Sequence, residues 1–323
     1  MIKIKVITLS NIWQKDKRIQ NIRKIILPKI NRSLVKSKIK FDTQDLEHQI
    51  LFRLMTYDKP TPKVINKVFN EQKEITLERM ANTPISPDKL FVFGFNRKDN
   101  WIMKWGKDKE LLYCHNKKYK KEIVFREITL PKEVEMCRRI IKDYHYIHYD
   151  RCKKGMTFGF FINGHKIPFA IEQVEPCEIS HNYKKAILML SGINYHTTVE
   201  LTRFYSVPNT PKNLIGILDK LVGRVLKDRG YEWMMTSVMP AFAKTKSSTT
   251  AGGIETPLFA KKLKFEFAKR DDGKYELCVP RAKKQGIQII KSKWQIFPVI
   301  EMVKSLYGLS PDLDKNKLYY IEK

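Results

Sequence analysis

The dipeptide Asn163-Gly164 stands between two apolar runs, Met156–Ile162 and Lys166–Val174, and no other feature restricts the fold as tightly. Asn and Gly tolerate the backbone angles of a tight reversal, so this pattern predicts two antiparallel strands joined there. The neighbouring segments must then build around a sheet. After Pro131, the residues Val134, Cys137, Ile140, Ile141 and Tyr144 recur at helical spacing, which predicts a helix over 131–144. Beyond the hairpin, Ala186–Leu190 and Thr198–Val207 read as strands. Pro211–Asp228 reads as a helix closed by Gly230, and Tyr231–Val238 as a further strand. Pro257–Leu263 is expected to be a short helix, followed by strands Lys264–Ala268 and Tyr275–Val279 joined across Asp271-Asp272-Gly273. Helices interleaved with strands in this order predict an α/β (α+β) class, a mixed central sheet flanked by helices.

The 323 residues allow one large or two modest domains. Residues 1–85 read as a basic, mainly helical region, with Ile22, Ile25, Ile26 and Ile30, then Leu46, Ile50, Leu51 and Leu54, at helical spacing and a break near Pro28. The turn-rich stretch Asn82–Pro87 marks a junction. Residues 86–130 form a linking aromatic and basic region, in which Leu90–Phe95 and Asn100–Trp105 are expected to pair as a hairpin. Residues 131–280 carry the sheet domain. Residues 281–323 read as a basic tail with a helix at Pro298–Leu306.

Charge narrows the choice of partner. The formal net charge is +28, far beyond the roughly 2 to 8 units that keep a small domain soluble. The excess runs along the whole chain: the first forty residues hold twelve Lys and Arg against one acid, Asp16. A polyanion gains affinity from each phosphate neutralised, so nucleic acid is the expected partner, although lysine-rich codon bias would also raise the charge. Lys117, Lys118, Tyr119, Lys120 and Lys121 interleave a ring with four cations, and Lys283 and Lys284 lie in the tail. These are the candidate nucleic-acid contacts. No stretch has the roughly 18 apolar residues of a membrane span, so a soluble, cytoplasmic protein without a membrane partner is expected. Cys114, Cys137, Cys152, Cys177 and Cys278 contain no C-x-x-C pair, which argues for reduced thiols and against a disulfide framework or a Cys-rich zinc site.

Several residues carry possible chemistry. A helix beginning near Pro211 presents unpaired N–H groups and the positive end of its dipole, with Thr210, Lys212 and Asn213 beside it, which suits a phosphate. The same residues would also make an ordinary capped helix with Thr210 as its N-cap. On a strand, Glu200 shares a face with Thr202 and Phe204, and Arg203 shares the other with Tyr205. Glu200 is either a general base or half of a structural ion pair, and Arg203 suits a phosphate or carboxylate. His145, Tyr146, His148 and Tyr149 end the 131–144 helix and offer proton transfer and stacking. No third ligand accompanies the two histidines, so no metal is expected. Ser237 lies at the end of its strand, placed to line a site.

The run Val199-Glu200-Leu201-Thr202-Arg203-Phe204-Tyr205, followed by Asn209-Thr210-Pro211-Lys212-Asn213, resembles the strand-to-helix signature of Mom-like phage DNA-modification proteins in the GNAT acyltransferase superfamily. Tyr144-His145-Tyr146 and Thr256–Phe265 resemble flanking motifs of the same family, and about 135 residues are covered. The resemblance implies a GNAT-like mixed sheet with an acyl donor, acetyl-CoA or a related acyl carrier, held through its phosphates at a helix N-terminus. It implies transfer of an acyl or acyl-derived group to the exocyclic amine of adenine, in DNA rather than RNA, which would protect phage DNA from restriction. The implied catalytic residues are Glu200, His145, Tyr146 and Tyr205. The implied donor contacts are Arg203, Thr210, Lys212, Asn213 and Ser237. The alternatives are a nucleic-acid-binding or mobile-element accessory protein that keeps the fold without the transfer, and an acyltransferase acting on tRNA or protein.

Overall fold

The computed structural model describes residues 3–8, 17–36, 41, 43–54, 57, 59–95, 97–106, 111–145, 155–180, 184–185, 188–189, 191–238, 256–269, 275–278, 289–309 and 317–322. After strand β1 (Lys3–Thr8) come three helices, α1 (Lys17–Lys36), α2 (Thr43–Leu54) and α3 (Pro62–Asn82). Ile19, Ile22, Ile26 and Ile30 return every three or four residues along α1 and are all buried. The expected break near Pro28 is corrected, because α1 runs through it. Pro28 is exposed, so its ring faces water, and the burial of Ile26 and Ile30 on either side offsets the one backbone bond it forfeits. Thr61 caps α3, its Oγ1 accepting from the Val64 N–H at 3.3 Å, with Pro62 at the first turn.

The expected Leu90–Phe95 strand is also corrected. Helix α4 (Pro87–Leu90) is followed by a turn in which the Phe91 N–H donates to the Pro87 carbonyl at 2.8 Å. Phe93 and Phe95 stack on one another and both meet Phe169, while Phe95 meets Trp101 edge-on. These aromatic rings plug the core instead of lining a ladder. Strand β2 (Ile102–Trp105) therefore pairs with β3 (Leu112–His115), which pairs with β4 (Lys120–Glu127).

Next come α5 (Pro131–Tyr144), β5 (Met156–Ile162) and β6 (Ala170–Pro176). Between the two strands Gly164 takes φ 83° and the His165 N–H closes the turn on Ile162 at 2.8 Å. Of the expected Ala186–Leu190 strand, the described residues Leu188 and Met189 are helical, as are Lys184 and Lys185 before them, and the Ile193 N–H turns back onto the Leu188 carbonyl; residues 186, 187 and 190 lie outside the described residues. Strand β7 (Thr198–Ser206), helix α6 (Leu214–Asp228) and strand β8 (Trp233–Val238) match their sequence periods, and Gly230 at φ 85° ends α6.

The last four strands are β9 (Thr256–Lys269), β10 (Tyr275–Cys278), β11 (Ile289–Ser305) and β12 (Lys317–Glu322). Both helices expected here, Pro257–Leu263 and Pro298–Leu306, are strand. Each lies in a ladder between partners far apart in sequence, and helical spacing in a short apolar run does not survive that competition. Among the described residues, twelve strands form one mixed sheet in the order β1-β12-β9-β11-β8-β7-β6-β5-β4-β3-β2, with β10 added to β9. The sheet therefore extends past residues 131 and 280 on both sides.

Helix α6 covers one face, where Gly223 approaches Met234 and the Lys304 ammonium donates to Asp219. Helix α5 lies on the other, with Tyr144 against Tyr205 of β7. One continuous buried cluster joins α1–α3 to β2–β7 and both of these helices. No helix of the described residues is long and apolar enough to cross a membrane. Cys114, Cys137 and Cys177 are buried and form no disulfide among the described residues, and burial pushes the Cys114 and Cys137 thiols up to about 12.

Candidate active site

The centre of the sheet carries a break that sequence patterning does not show. β7 and β8 run parallel from Thr198 beside Trp233 to Leu201 beside Thr236, where their ladder ends. β7 continues to Ser206 along β6, and β8 continues to Val238 along β11. At the same level β7 bulges: Leu201 lies opposite Val174 and Arg203 opposite Gln173, leaving Thr202 as the extra residue. The Thr202 hydroxyl holds the bulge by donating to the Gln173 carbonyl at 3.1 Å. Two parallel strands that part in mid-sheet leave a wedge between them.

The bulge changes which residues face the same way. Glu200 lies opposite Glu175, Arg203 opposite Gln173 and Tyr205 opposite Ile171, and these three partners alternate along β6. Glu200, Arg203 and Tyr205 therefore share one face. The expectation that Glu200 and Arg203 lie on opposite faces is corrected, because the inserted residue shifts the period of two by one.

Glu200 is 2 % exposed and fully engaged. Its Oε1 accepts from the Lys184 ammonium at 2.5 Å and its Oε2 from the Ser180 hydroxyl at 2.6 Å. Lys184, itself 1 % exposed, also donates to Ser237 Oγ at 2.9 Å. Ser237 is the first residue of β8 beyond the last β7–β8 pair, so this buried ammonium sits at the apex of the wedge. Ser180 and Lys184 lie 20 and 16 residues from Glu200 in a segment with no periodic pattern, and nothing local in the sequence marks them. A carboxylate held this way cannot accept a substrate proton without first giving up a hydrogen bond.

His145 ends α5, its N–H on the Ile141 carbonyl, and is buried. Burial, then the Arg203 charge and then His48, hold its imidazole well below the usual histidine range, so it is neutral at neutral pH. Tyr144 donates to the Ile85 carbonyl, and its ring lies 6.3 Å from that of the buried Tyr205. Tyr146, His148 and Tyr149 lie outside the described residues.

The loop between β7 and α6 is held by an unexpected partner. The Lys212 N–H donates to the Trp101 carbonyl at 2.8 Å and the Met103 N–H to the Lys212 carbonyl at 3.0 Å, so the sheet curls until its β2 edge meets this loop. The helix starts at Leu214, three residues later than expected, after Asn213 in the left-handed conformation at φ 66°. The Lys212 N–H is thus spent. The first helical bond is Ile217 N–H to Asn213, which leaves the N–H groups of Leu214, Ile215 and Gly216 at the open first turn. A Cβ at Gly216 would meet open space, and the Lys212 side chain is exposed without an ion pair among the described residues. Thr210 is half-buried in this loop.

No protein-family model matches the chain, and no curated protein matches it. Solved structures are similar in fold. An N-acetyltransferase from Staphylococcus aureus Mu50 is 14% identical, with TM-score 0.34 over 58% of this chain and 99% of that one. The ribosomal-protein-S18-alanine N-acetyltransferase from Escherichia coli is 10% identical, with TM-score 0.35 over 59% and 99%. FeeM, an N-acyl amino acid synthase from uncultured soil microbes, is 14% identical, with TM-score 0.36 over 58% and 93%. Likeness this distant assigns no residue of the site.

A second buried polar group lies on the opposite face, under α6. Glu172 is fully buried and neither of its carboxyl oxygens has a hydrogen-bond partner among the described residues. Asp219 is 1 % exposed and accepts from Lys304 at 2.7 Å. Burial, then the Asp219 charge, push Glu172 well above the carboxylate range, and burial raises Asp219 to about 6.

Of the expected nucleic-acid contacts, Lys117, Lys118, Tyr119 and Lys120 are exposed. Lys121 is corrected: strand alternation turns it inward, where it donates to the Phe93 carbonyl at 2.9 Å beside Trp101. Lys283 and Lys284 lie outside the described residues. Among the described residues no group of three or more His, Cys, Asp or Glu side chains is arranged to hold a metal ion.

Proposed function

We propose that this chain is a GNAT-type acyltransferase that moves an acyl group from a thioester donor of the acetyl-CoA kind to an amine, with the exocyclic amine of adenine in DNA as acceptor. One observation carries the reading: the parallel strands β7 and β8 part at a bulge, and helix α6, which follows β7, begins without a side-chain cap on its first turn. Such a wedge takes an extended donor between two strand edges, and the turn at Leu214–Gly216 with Lys212 fits its phosphates. The acceptor nitrogen attacks the thioester carbonyl, a C–N bond forms, the C–S bond breaks, and the thiol leaves with a proton. The reading assigns Arg203, on the same face as Glu200 and Tyr205 just past the bulge, to a phosphate or the developing oxyanion. With Glu200 committed to Lys184 and Ser180, the reading assigns removal of the amine proton to His145, whose imidazole is held neutral by burial and the Arg203 charge.

The adenine acceptor rests on the resemblance of Glu200–Asn213 to Mom-like proteins and on the net charge of +28. If the base lies within a duplex it must first be flipped out, at a cost of a few kcal/mol. The test is mass spectrometry of nucleosides from cells expressing the wild type or Arg203→Ala, with calorimetric titration of acetyl-CoA in parallel. A new adenosine mass that disappears in the variant supports the whole reading. Donor binding without a modified nucleoside overturns the acceptor, and absence of both overturns the transferase. A second reading, nucleic-acid binding without transfer, is favoured by the engagement of Glu200, and the same experiment separates the two.

A further inference from the structure

Strands β2, β3 and β4 have one face in the core and one in solvent. Met103, Leu112, Cys114 and Ile123 fill the inner face and are at most 4% exposed. On the outer face, register places Lys104 beside Tyr113 and Glu122, and Ile102 beside His115 and Lys120. Two ammonium groups converge on one ring there: Lys120 Nζ lies 4.1 Å and Lys104 Nζ 5.6 Å from the Tyr113 centroid. Neither lysine has an ion pair among the described residues, nor do Lys117 and Lys118 in the adjoining turn. Among the residues paired in β2–β4, Glu122 is the one carboxylate that the register sets on this face.

The turn is rigid where the cations are. Asn116 Oδ1 accepts from the N–H groups of Lys118 and Tyr119 at 2.8 and 2.7 Å, and the Asn116 N–H donates to the Tyr119 carbonyl at 2.9 Å. Tyr119 therefore stands out from a fixed backbone, 62% exposed, beside the lysines. A large aromatic ring held in water at the end of a cationic face has the composition of a surface that grips a phosphodiester chain and stacks a base. Lys212, whose backbone bridges Ile102 of β2 ahead of α6, is likewise exposed without an ion pair among the described residues.

We propose that the outer face of β2–β4 binds single-stranded nucleic acid, with Lys104 and Lys120, organised by Tyr113, holding phosphates and Tyr119 stacking on a base. This rests on nucleic acid being the substrate but not on the transfer chemistry, because binding is read without a donor. The test is fluorescence anisotropy of a labelled oligothymidine and a duplex of equal length, titrated with the wild type, Lys104→Ala/Lys120→Ala and Tyr119→Ala across a range of salt. The wild type should prefer the single strand. The double lysine variant should weaken it about tenfold and flatten the salt slope by between one and two units. Tyr119→Ala should weaken it about fivefold or more without changing the slope. All three replaced side chains are exposed, so circular dichroism should show the same fold in every variant. Wild-type binding that these variants leave unchanged, or binding that favours duplex with no effect of Tyr119, overturns this surface while leaving nucleic acid as substrate. A wild type that binds neither probe overturns both.

Discussion

Lys184 and Glu200 form a pair whose side chains are 2% and 3% exposed, so its two charges have been taken almost wholly out of water. Removing one partner strands the other. Lys184→Met should lower the unfolding free energy by about 3–5 kcal/mol, and adding Glu200→Leu should restore most of it, as read by urea denaturation. A single variant as stable as the wild type would mean that the pair is hydrated. The group on the opposite face sets a pH dependence. Asp219 is raised from 3.8 to about 6 and Glu172 is held well above its ordinary value, so the folded chain holds protons that the unfolded chain has released. Their contribution to stability is full below the unfolded value and is lost as pH rises through about 6. The gain in melting temperature of Glu172→Gln/Asp219→Asn over wild type should therefore be larger at pH about 7.5 than at pH about 4.5. An equal gain at both would show that neither carboxyl is shifted.

At the scale of elements, helices and the first hairpin obey their local periods, whereas ladders are decided by distant partners. The amphipathic patterns of α5 and α6 are legible because each buries one stripe: Cys137, Ile140 and Ile141 in the first, Leu214, Leu218, Val222 and Leu226 in the second. β9 and β11 are not legible. Met302 and Val303 are adjacent, so they point to opposite faces of the sheet, and both are fully buried. A strand covered on both faces loses its alternation and reads like a helix segment. Two glycines test the local packing. A Cβ at Gly159 would lie 3.0 Å from Ile128 and Phe161 and 3.2 Å from Pro168, so Gly159→Ala should cost about 1–3 kcal/mol. Gly216→Ala meets nothing within 4 Å and should stabilise α6 by about 0.5–1 kcal/mol in the same thermal unfolding assay. Reversal of that order would mean that the β5 backbone yields or that α6 starts later.

For the whole molecule, β11 matters more than a tail would. It pairs with β8 on one side and β9 on the other, and Lys304 reaches Asp219 beneath α6. Truncation after residue 280 should therefore abolish cooperative thermal unfolding, with loss of near-ultraviolet circular dichroism. A truncated chain that melts like the full one would return 281–323 to the status of an appendage.

What the sequence determined alone is local: the α/β class, the 131–144 helix, a helix within 211–228, the Asn163-Gly164 reversal and an excess of cationic side chains. Each follows from neighbours a few residues apart, where rotamer, turn and periodicity preferences act. The site was only half visible. Arg203, Lys212 and Asn213 could be singled out, but the Thr202 bulge that turns Glu200 and Arg203 to one face depends on the register against β6. The partners of Glu200 and the anchoring of Lys212 by Trp101 are likewise tertiary. Those contacts join residues 16 to about 110 apart, and only the closed, low-dielectric interior makes them worth the entropy of bringing them together.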